Sequence, residues 1–368
     1  MSLSEEDGNL DLFNAVKNNN ESAIRGLLDA GADVNITDES WKRTPLFYAV
    51  LGNLENVVRV LIKAGANVNI KDREENSCLF FAVSCDHSNI ARVLIDAKAD
   101  VNAIDQFQKR TPLFYAVSNG NGELVDALID GGADVNKTDS DGQTALFYAL
   151  RSKNDNIVRA IIDGGADVNK TDSDGQTALF SAVKEGNESI VRALIEAGAD
   201  VNKTDINGQT SLFCVSRCFS SDDSIGLLID KGCDVNLPDN KGETPLFHFV
   251  RLGLDIHVKT LMDKGKALIN VRNHYGRTPL FYALQRSPVI ARCLLENGGN
   301  LYSKDNCNLS ILSFFIEELL DNKVCFDRID LTEQLNLLCR RGVTEKHCSK
   351  STNRSTILQN CVYVYAFG

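Results

Sequence analysis

The chain has 368 residues, of which 43% are hydrophobic and 24% charged, a balance that is typical of a folded protein and excludes collagen-like, mucin-like and fully disordered chains. Its 50 acidic residues outnumber 39 basic ones, so the net charge is −11, and a surface of this sign repels nucleic acid backbones and anionic lipid headgroups. We therefore expect neither a nucleic acid nor a membrane as the partner.

The cysteines and the N-terminal residues indicate where the protein works. The 11 cysteines are an odd number and are scattered without paired spacing, which suits a reducing compartment. The opening residues, MSLSEEDGNL, are acidic and lack the basic and apolar regions of a secretory signal. We expect a cytoplasmic protein, with the nucleus as the alternative.

The chain repeats itself along most of its length. Residues 129–147, IDGGADVNKTDSDGQTALF, recur letter for letter at 162–180. A fixed period of this size predicts a solenoid of stacked units. The leucines that stand in register, at separations of 32 to 34 residues, are Leu12, Leu46, Leu79, Leu113, Leu146, Leu179, Leu212, Leu246, Leu280 and Leu312.

Each unit is predicted to fold as a helix, a turn and a second helix, followed by a hairpin-like finger. Pro45 fits the first turn of a helix, and Thr44 is expected to cap that helix by accepting a hydrogen bond from a backbone N–H. Apolar residues recur with helical spacing in 46–50 and again in 57–62. Gly65 is expected to end the second helix, and a polar turn such as DSDGQ forms the finger tip.

These motifs resemble the ankyrin repeat. TPLF begins at 44, 111, 244 and 278, and GADVN begins at 31, 132, 165 and 198. The resemblance covers residues from about 10 to about 306 and implies an all-α solenoid of helix-turn-helix units joined by β-hairpin fingers. We expect about ten repeats with degenerate terminal caps. The implied domains are an N-terminal capping repeat at 1–34, an array of about eight repeats at 35–306 and degenerate C-terminal repeats at 307–368.

The sequence departs from the ankyrin pattern in two ways. The family usually has His after the Leu of its first-helix motif, whereas this chain has Phe, for example Phe47, Phe114 and Phe247. We therefore expect a more apolar seam between repeats. Lys98 replaces the Gly that ends the second helix, which costs up to ~1 kcal/mol if the left-handed backbone is kept, so the third unit is expected to be locally irregular.

No catalytic, cofactor or metal site is predicted. The five histidines form no HExxH, and no GxSxG or phosphate-binding glycine motif stands in a strand-to-helix context. Cys214 and Cys218 stand four residues apart on one predicted helix, with Cys233 one finger away, which raises the alternative of a metal site. Structural zinc needs a completed set of four ligands, so buried thiols are favoured.

The C-terminal region offers one rival function. Leu335, Cys339 and Val343 have the LxxxCxxxV spacing of the elongin-binding helix in SOCS-box proteins, which often carry ankyrin arrays in ubiquitin ligases. The same three positions are also those that the second helix of a degenerate repeat would bury. The alternative function is therefore a substrate-recognition adaptor of a ubiquitin ligase through a helix at 335–343.

The residues that do not pack in the core are expected to bind the partner. Three finger tips carry large aromatic side chains, at Trp41, Phe107 and Tyr275, and buried aromatic side chains dominate binding energy. The competing interpretation is that each ring lies back on a neighbouring finger.

Charge is also unevenly distributed. Residues 121–210 hold 16 acidic and 8 basic residues, which is −8 of the total −11 and favours a basic partner at Asp141 and Asp174. The competing interpretation is that acids such as Asp139, Asp172 and Asp205 close their own turns. The prediction is a monomeric, non-enzymatic scaffold that binds a protein partner through the concave finger and first-helix surface.

Overall fold

The computed structural model describes residues 5–215 and 223–320, with side chains described at 11–215 and 224–315. The chain divides into two compact units. The first consists of Met1–Ser173 with Glu196–Ala199, and the second of Asp174–Ile195 with Asp200–Gly368.

The first unit is built from consecutive helix pairs, in which each helix packs on its partner and on its counterpart in the next pair. This stacking buries the apolar stripes that one pair alone would leave in water. Its helices are α1 (Glu5–Lys17), α2 (Glu21–Asp29), α3 (Pro45–Leu51), α4 (Glu55–Lys63), α5 (Cys78–Ser84), α6 (Ser88–Asp96), α7 (Pro112–Ser118), α8 (Gly122–Asp130), α9 (Ala145–Ser152) and α10 (Asp155–Asp163).

The second unit follows the same plan with one interruption, a single 3-10 turn at Ser211–Cys214 that stands where a first helix is expected. Val215 has an extended backbone, with ψ at 129°, which ends the helical geometry. Its α-helices are α11 (Ala178–Glu185), α12 (Glu188–Glu196), α13 (Asp223–Asp230), α14 (Pro245–Leu252), α15 (Asp255–Asp263), α16 (Pro279–Arg286), α17 (Pro288–Glu296) and α18 (Ile311–Leu320).

The prediction that Cys214 and Cys218 share one helix face falls partly outside the described residues. The helical geometry ends at Cys214, and Cys218 lies outside the described residues. Burial raises the pKa of the Cys214 thiol to about 11 and that of Cys233 to about 12. Both thiols are therefore expected to be protonated at physiological pH.

The first helices begin where the TPLF motif predicts, but the expected cap hydrogen bond is not made. Thr44 and Thr111 are N-cap residues with extended backbone, and each is followed by Pro in the first turn. The Thr44 hydroxyl is buried without a hydrogen-bond partner among the described residues. The Thr44 carbonyl instead accepts from the Phe47 amide at 3.0 Å. Serine does cap in the third repeat, where Ser77 Oγ accepts from the Phe80 amide at 3.2 Å.

Lys98 keeps the left-handed backbone, and the third repeat is regular. Its φ is +66°, and Gly65 and Gly132 at the equivalent positions have φ of +91° and +92°. The helices of this repeat, α5 and α6, have 7 and 9 residues, as α3 and α4 do. The expected irregularity is therefore absent from the helices, because the strain is confined to one residue after the helix end.

The fingers are hairpins too short to form strands. Within the described residues each β interaction is an isolated antiparallel bridge at a finger base: Lys71 with Ser77, Thr138 with Thr144, Thr204 with Thr210, and Lys304 with Ser310. Each bridge closes a turn of five residues.

The apolar seam expected between repeats is present. Phe47 is fully buried and Phe114 is 1% exposed, and each packs edge to face on an aromatic ring of the next repeat. The ring centroids of Phe47 and Phe81 lie 6.0 Å apart, and those of Phe114 and Tyr148 lie 5.2 Å apart. Such pairs add about 0.5–1.5 kcal/mol beyond the buried area.

Candidate partner-binding surface

An aspartate at the base of most of the described fingers organises the turn. Asp139 Oδ1 accepts from the amides of Asp141 and Gln143 at 3.0 and 2.9 Å, and Gly142 at the tip has a φ of +74°. Asp205 makes the equivalent bonds in the second unit. The competing interpretation of these acids is therefore correct for Asp139 and Asp205, since their carboxylates close their own turns.

Two fingers of the first unit are one residue longer than the others. Trp41 and Gln108, the residue after Phe107, donate their amides to Oδ1 of Asp38 and Asp105, both at 2.6 Å. In the shorter fingers the same Asp oxygen bonds the residue two positions on. The extra residue enlarges the turn at the tips that carry Trp41 and Phe107.

The two aromatic side chains at finger tips of the first unit differ in their exposure to solvent. Phe107 is 78% exposed, whereas Trp41 is 44% exposed. The Arg43 guanidinium lies 5.0 Å from the Trp41 ring centroid, and the Trp41 carbonyl accepts from the Arg73 amide at 2.8 Å. The Trp41 ring thus packs partly against its own finger, whereas the Phe107 ring is exposed to solvent.

Aromatic side chains form a ladder along the first helices, and its tyrosines were not identified from the sequence. Edge-to-face pairs join Phe13 to Tyr48, Phe80 to Tyr115 and Phe114 to Tyr148, with ring centroids 5.0 to 5.7 Å apart. The signal in the sequence is an aromatic residue two positions after the leucine of the repeat: Tyr48, Phe81, Tyr115 and Tyr148 in the first unit, and Tyr282 and Phe314 in the second.

Hydrogen bonds tie this ladder to the finger bases. The hydroxyls of Tyr48, Tyr115 and Tyr148 donate to Asp38, Asp105 and Asp139 at 2.9, 2.8 and 2.6 Å. Burial, together with the bond to Asp105, raises the pKa of Tyr115 to about 12. Burial acts to raise the pKa of Asp38, but hydrogen bonds from the Trp41 amide and the Tyr48 hydroxyl outweigh it and lower that pKa.

In the second unit, Tyr275 occupies a finger tip that is built differently. Tyr275 is 62% exposed, with the Arg277 guanidinium 5.8 Å from its ring centroid. Asn273 replaces the usual aspartate and accepts from the Tyr275 and Arg277 amides. Asp174 is an exposed tip residue of the same unit, and its carbonyl accepts from the Ile206 amide at 3.0 Å.

The acidic excess of residues 121–210 is mostly not on the finger tips. Asp141 and Asp174 are exposed tip residues. The other acids lie elsewhere, on second helices (123, 126, 130, 155, 163, 188, 196), on finger stems (134, 167, 200), in turns (139, 172, 205) and at the end of α11 (185). The charge total for this segment therefore overstates the acidity of its finger tips.

Several exposed apolar side chains were missed by sequence reasoning. Ile206 on a finger is 63% exposed, and Leu268 and Tyr302 on finger stems are 58% and 56% exposed. Leu268 and Tyr302 replace the Asp and the Asn of GADVN, so comparing the repeats with one another would have found them.

Within the described ranges, no group of three or more His, Cys, Asp or Glu side chains is arranged to hold a metal ion. None of the described helices has the length and apolarity needed to cross a bilayer. The SOCS-box-like positions Leu335, Cys339 and Val343 lie outside the described residues.

A family model described as ankyrin repeats (3 copies) matches residues 12–105, 99–172, 161–239 and 212–305. Among solved structures 620 chains match, so the fold is common and does not by itself identify a partner. One is the crystal structure of the ankyrin repeat domain of Bcl-3, described as a unique member of the IkappaB protein family. It is 29% identical with a TM-score of 0.52, and the match covers 59% of this chain and 97% of that one. A search of curated proteins finds no match.

Proposed function

The chain belongs to the ankyrin repeat family, whose repeats are in general protein–protein interaction modules, and we propose that it is a non-enzymatic scaffold that binds a protein partner. The proposed contact surface consists of the finger tips and the exposed positions of the first helices. In this proposal the protein acts as a cytoplasmic or nuclear monomer, with residues 1–34 and 307–368 serving as caps.

The observation that carries the proposal is the exposure of Phe107 and Trp41 on enlarged turns. A phenylalanine that is 78% exposed gains little from its own fold, and burying it against a partner recovers most of its apolar area. The turns beneath both side chains are held by bonds of 2.6 Å to Asp38 and Asp105, so little ordering remains to be done on binding. We therefore assign both side chains the role of anchors, with Tyr275 as the corresponding anchor of the second unit.

The proposed role of Asp141 and Asp174 is electrostatic steering. Both are exposed tip residues, and exposed charges mainly affect the association rate and its salt dependence. Basic residues on the partner would complement each of them.

The anchor role is tested with a double variant, Trp41→Ala with Phe107→Ala. The control is Ile256→Ala with Val289→Ala, which removes side chains that are 64% and 53% exposed on α15 and α17. Proteins captured from a cell lysate are compared by mass spectrometry. A partner that the wild type and the control retain, and the anchor variant loses, supports the proposal. A partner that the anchor variant retains and the control loses would move the site to the second helices.

Once a partner is captured, surface plasmon resonance separates anchoring from steering. Loss of an aromatic anchor typically costs ~2 kcal/mol or more, chiefly as faster dissociation. Asp141→Asn with Asp174→Asn should instead slow association at low salt and have little effect at high salt. Capture of elongins by the wild type and by the anchor variant alike would favour the ubiquitin-ligase alternative.

A further inference from the structure

Arg151 presents a guanidinium that is held in place but is not paired with a carboxylate among the described residues. It lies in the last turn of α9 and is exposed. Its Nη1 donates to Gln143 Oε1 at 2.8 Å, and its guanidinium carbon lies 4.3 Å from the Tyr148 ring centroid. A neutral amide and an aromatic ring thus fix its position without cancelling its charge.

The carboxylate at the base of the same finger, Asp139, is already engaged by other groups. Asp139 is buried, accepts the Tyr148 hydroxyl at 2.6 Å, and lies 3.7 Å from Nε of Arg110. Arg110 lies 4.7 Å from the same Tyr148 ring, and its Nη2 donates to the Tyr148 hydroxyl. The negative charge of Asp139 therefore compensates the positive charge of Arg110, and the positive charge of Arg151 is not compensated.

The second unit contains a similar arrangement in which the arginine is paired with a carboxylate. Arg251 stands eight residues after Glu243, just as Arg151 stands eight residues after Gln143. Arg251 donates through Nη1 and Nη2 to the two oxygens of Glu243 at 2.5 and 2.6 Å, and its guanidinium lies 4.2 Å from the Tyr282 ring. This bidentate pair is the geometry in which arginine binds carboxylate most strongly. The two sites share the spacing and the stacked guanidinium and differ in two respects. Gln143 stands in place of Glu243, and the ring over Arg151 comes from its own helix, whereas the ring over Arg251 comes from the first helix of the next repeat.

We propose that Arg151 is an open carboxylate-binding site, which an acidic side chain of the protein partner fills in the way that Glu243 fills its counterpart. The inference rests on the proposed scaffold function and adds the chemistry of one contact. A single carboxylate suits the site because one guanidinium charge is uncompensated. A densely charged polyanion does not, because Asp139 and Asp141 lie close by in the same finger. The partner therefore carries an acidic residue beside the basic residues that face Asp141.

The site is tested with a peptide that carries a single glutamate between neutral residues and an uncharged fluorescent label, and its binding is followed by fluorescence anisotropy at low salt. Gln143→Glu supplies an internal carboxylate, and Arg151→Gln removes the cation. Each should weaken peptide binding about tenfold, the effect expected for one charged hydrogen-bonded contact. The matched control is Arg59→Gln, which removes an exposed arginine of α4 that already pairs with Glu55 at 2.8 Å. It should leave binding unchanged.

Three outcomes would overturn the inference: no binding by the wild type, equal loss in Arg59→Gln and Arg151→Gln, or undiminished binding by Gln143→Glu. A thermal melt of Gln143→Glu supplies the check on folding, and its midpoint should not fall. The peptide assay needs neither a natural partner nor the aromatic tips. Its failure would thus remove the carboxylate site and leave the finger-tip proposal to its own experiment.

Discussion

Asn136 joins its repeat to the next one through both ends of its amide, accepting from the Asp167 amide at 2.7 Å and donating to the Gly165 carbonyl at 3.0 Å. We expect Asn136→Ala to lower the free energy of unfolding by roughly 1 to 3 kcal/mol, because each such hydrogen bond contributes ~0.5–1.5 kcal/mol. Urea unfolding followed by circular dichroism measures this. Asn156→Ala, at an exposed position of α10, is the control and should change little. Equal effects of the two variants would mean that the bonds to the next repeat add nothing.

Phe114 and Phe107 form a matched pair for separating packing from binding. Phe114 is 1% exposed and Phe107 is 78% exposed. Phe114→Ala should destabilise the protein by about 3–5 kcal/mol because it leaves a cavity in the seam with Tyr148. Phe107→Ala should leave the free energy of unfolding within about 0.5 kcal/mol of the wild type. The same urea titration checks both, and a destabilised Phe107→Ala would show that its ring packs on the fold.

Lys98 holds a left-handed backbone that glycine adopts without steric strain. Its φ is +66°, so Lys98→Gly should raise the free energy of unfolding by up to about 1 kcal/mol. A rise in the midpoint of thermal unfolding would be the expected result. Lys63→Gly, which places glycine inside the last turn of α4, is the opposite control and should destabilise by a similar amount. A fall in stability for Lys98→Gly would indicate that the lysine side chain makes contacts worth more than the backbone strain.

The phenol of Tyr115 makes stability depend on alkaline pH. Burial and the bond to Asp105 raise its pKa to about 12 in the folded protein, from an ordinary value of 10.0. The folded state therefore favours the protonated phenol, and its stabilising effect is complete below pH 10 and is lost as the pH rises towards 12. We expect unfolding free energies measured between these values to fall less steeply with pH in Tyr115→Phe than in the wild type. Identical slopes would contradict the assignment.

Much of this architecture follows from the sequence because its determinants are local. The period, the proline at the start of α3 and α7, and the positive φ of Lys98 each depend on a few neighbouring residues. The turn-closing role of Asp139 is local in the same sense, since it bonds residues two and four positions on. Such features can be predicted once the register of the repeats is known.

The sequence by itself determined that this protein is a stack of helix pairs with aromatic finger tips. The tertiary structure decided which charged side chains form ion pairs and which do not. Arg110 pairs with Asp139 and Arg277 pairs with Asp305, in each case across about one repeat. Arg251 forms an ion pair with Glu243, whereas Arg151 donates to the neutral side chain of Gln143. Stacking brings residues about thirty positions apart into contact. Which of them pair depends on side-chain reach and burial between neighbouring repeats, and neither can be read from the period.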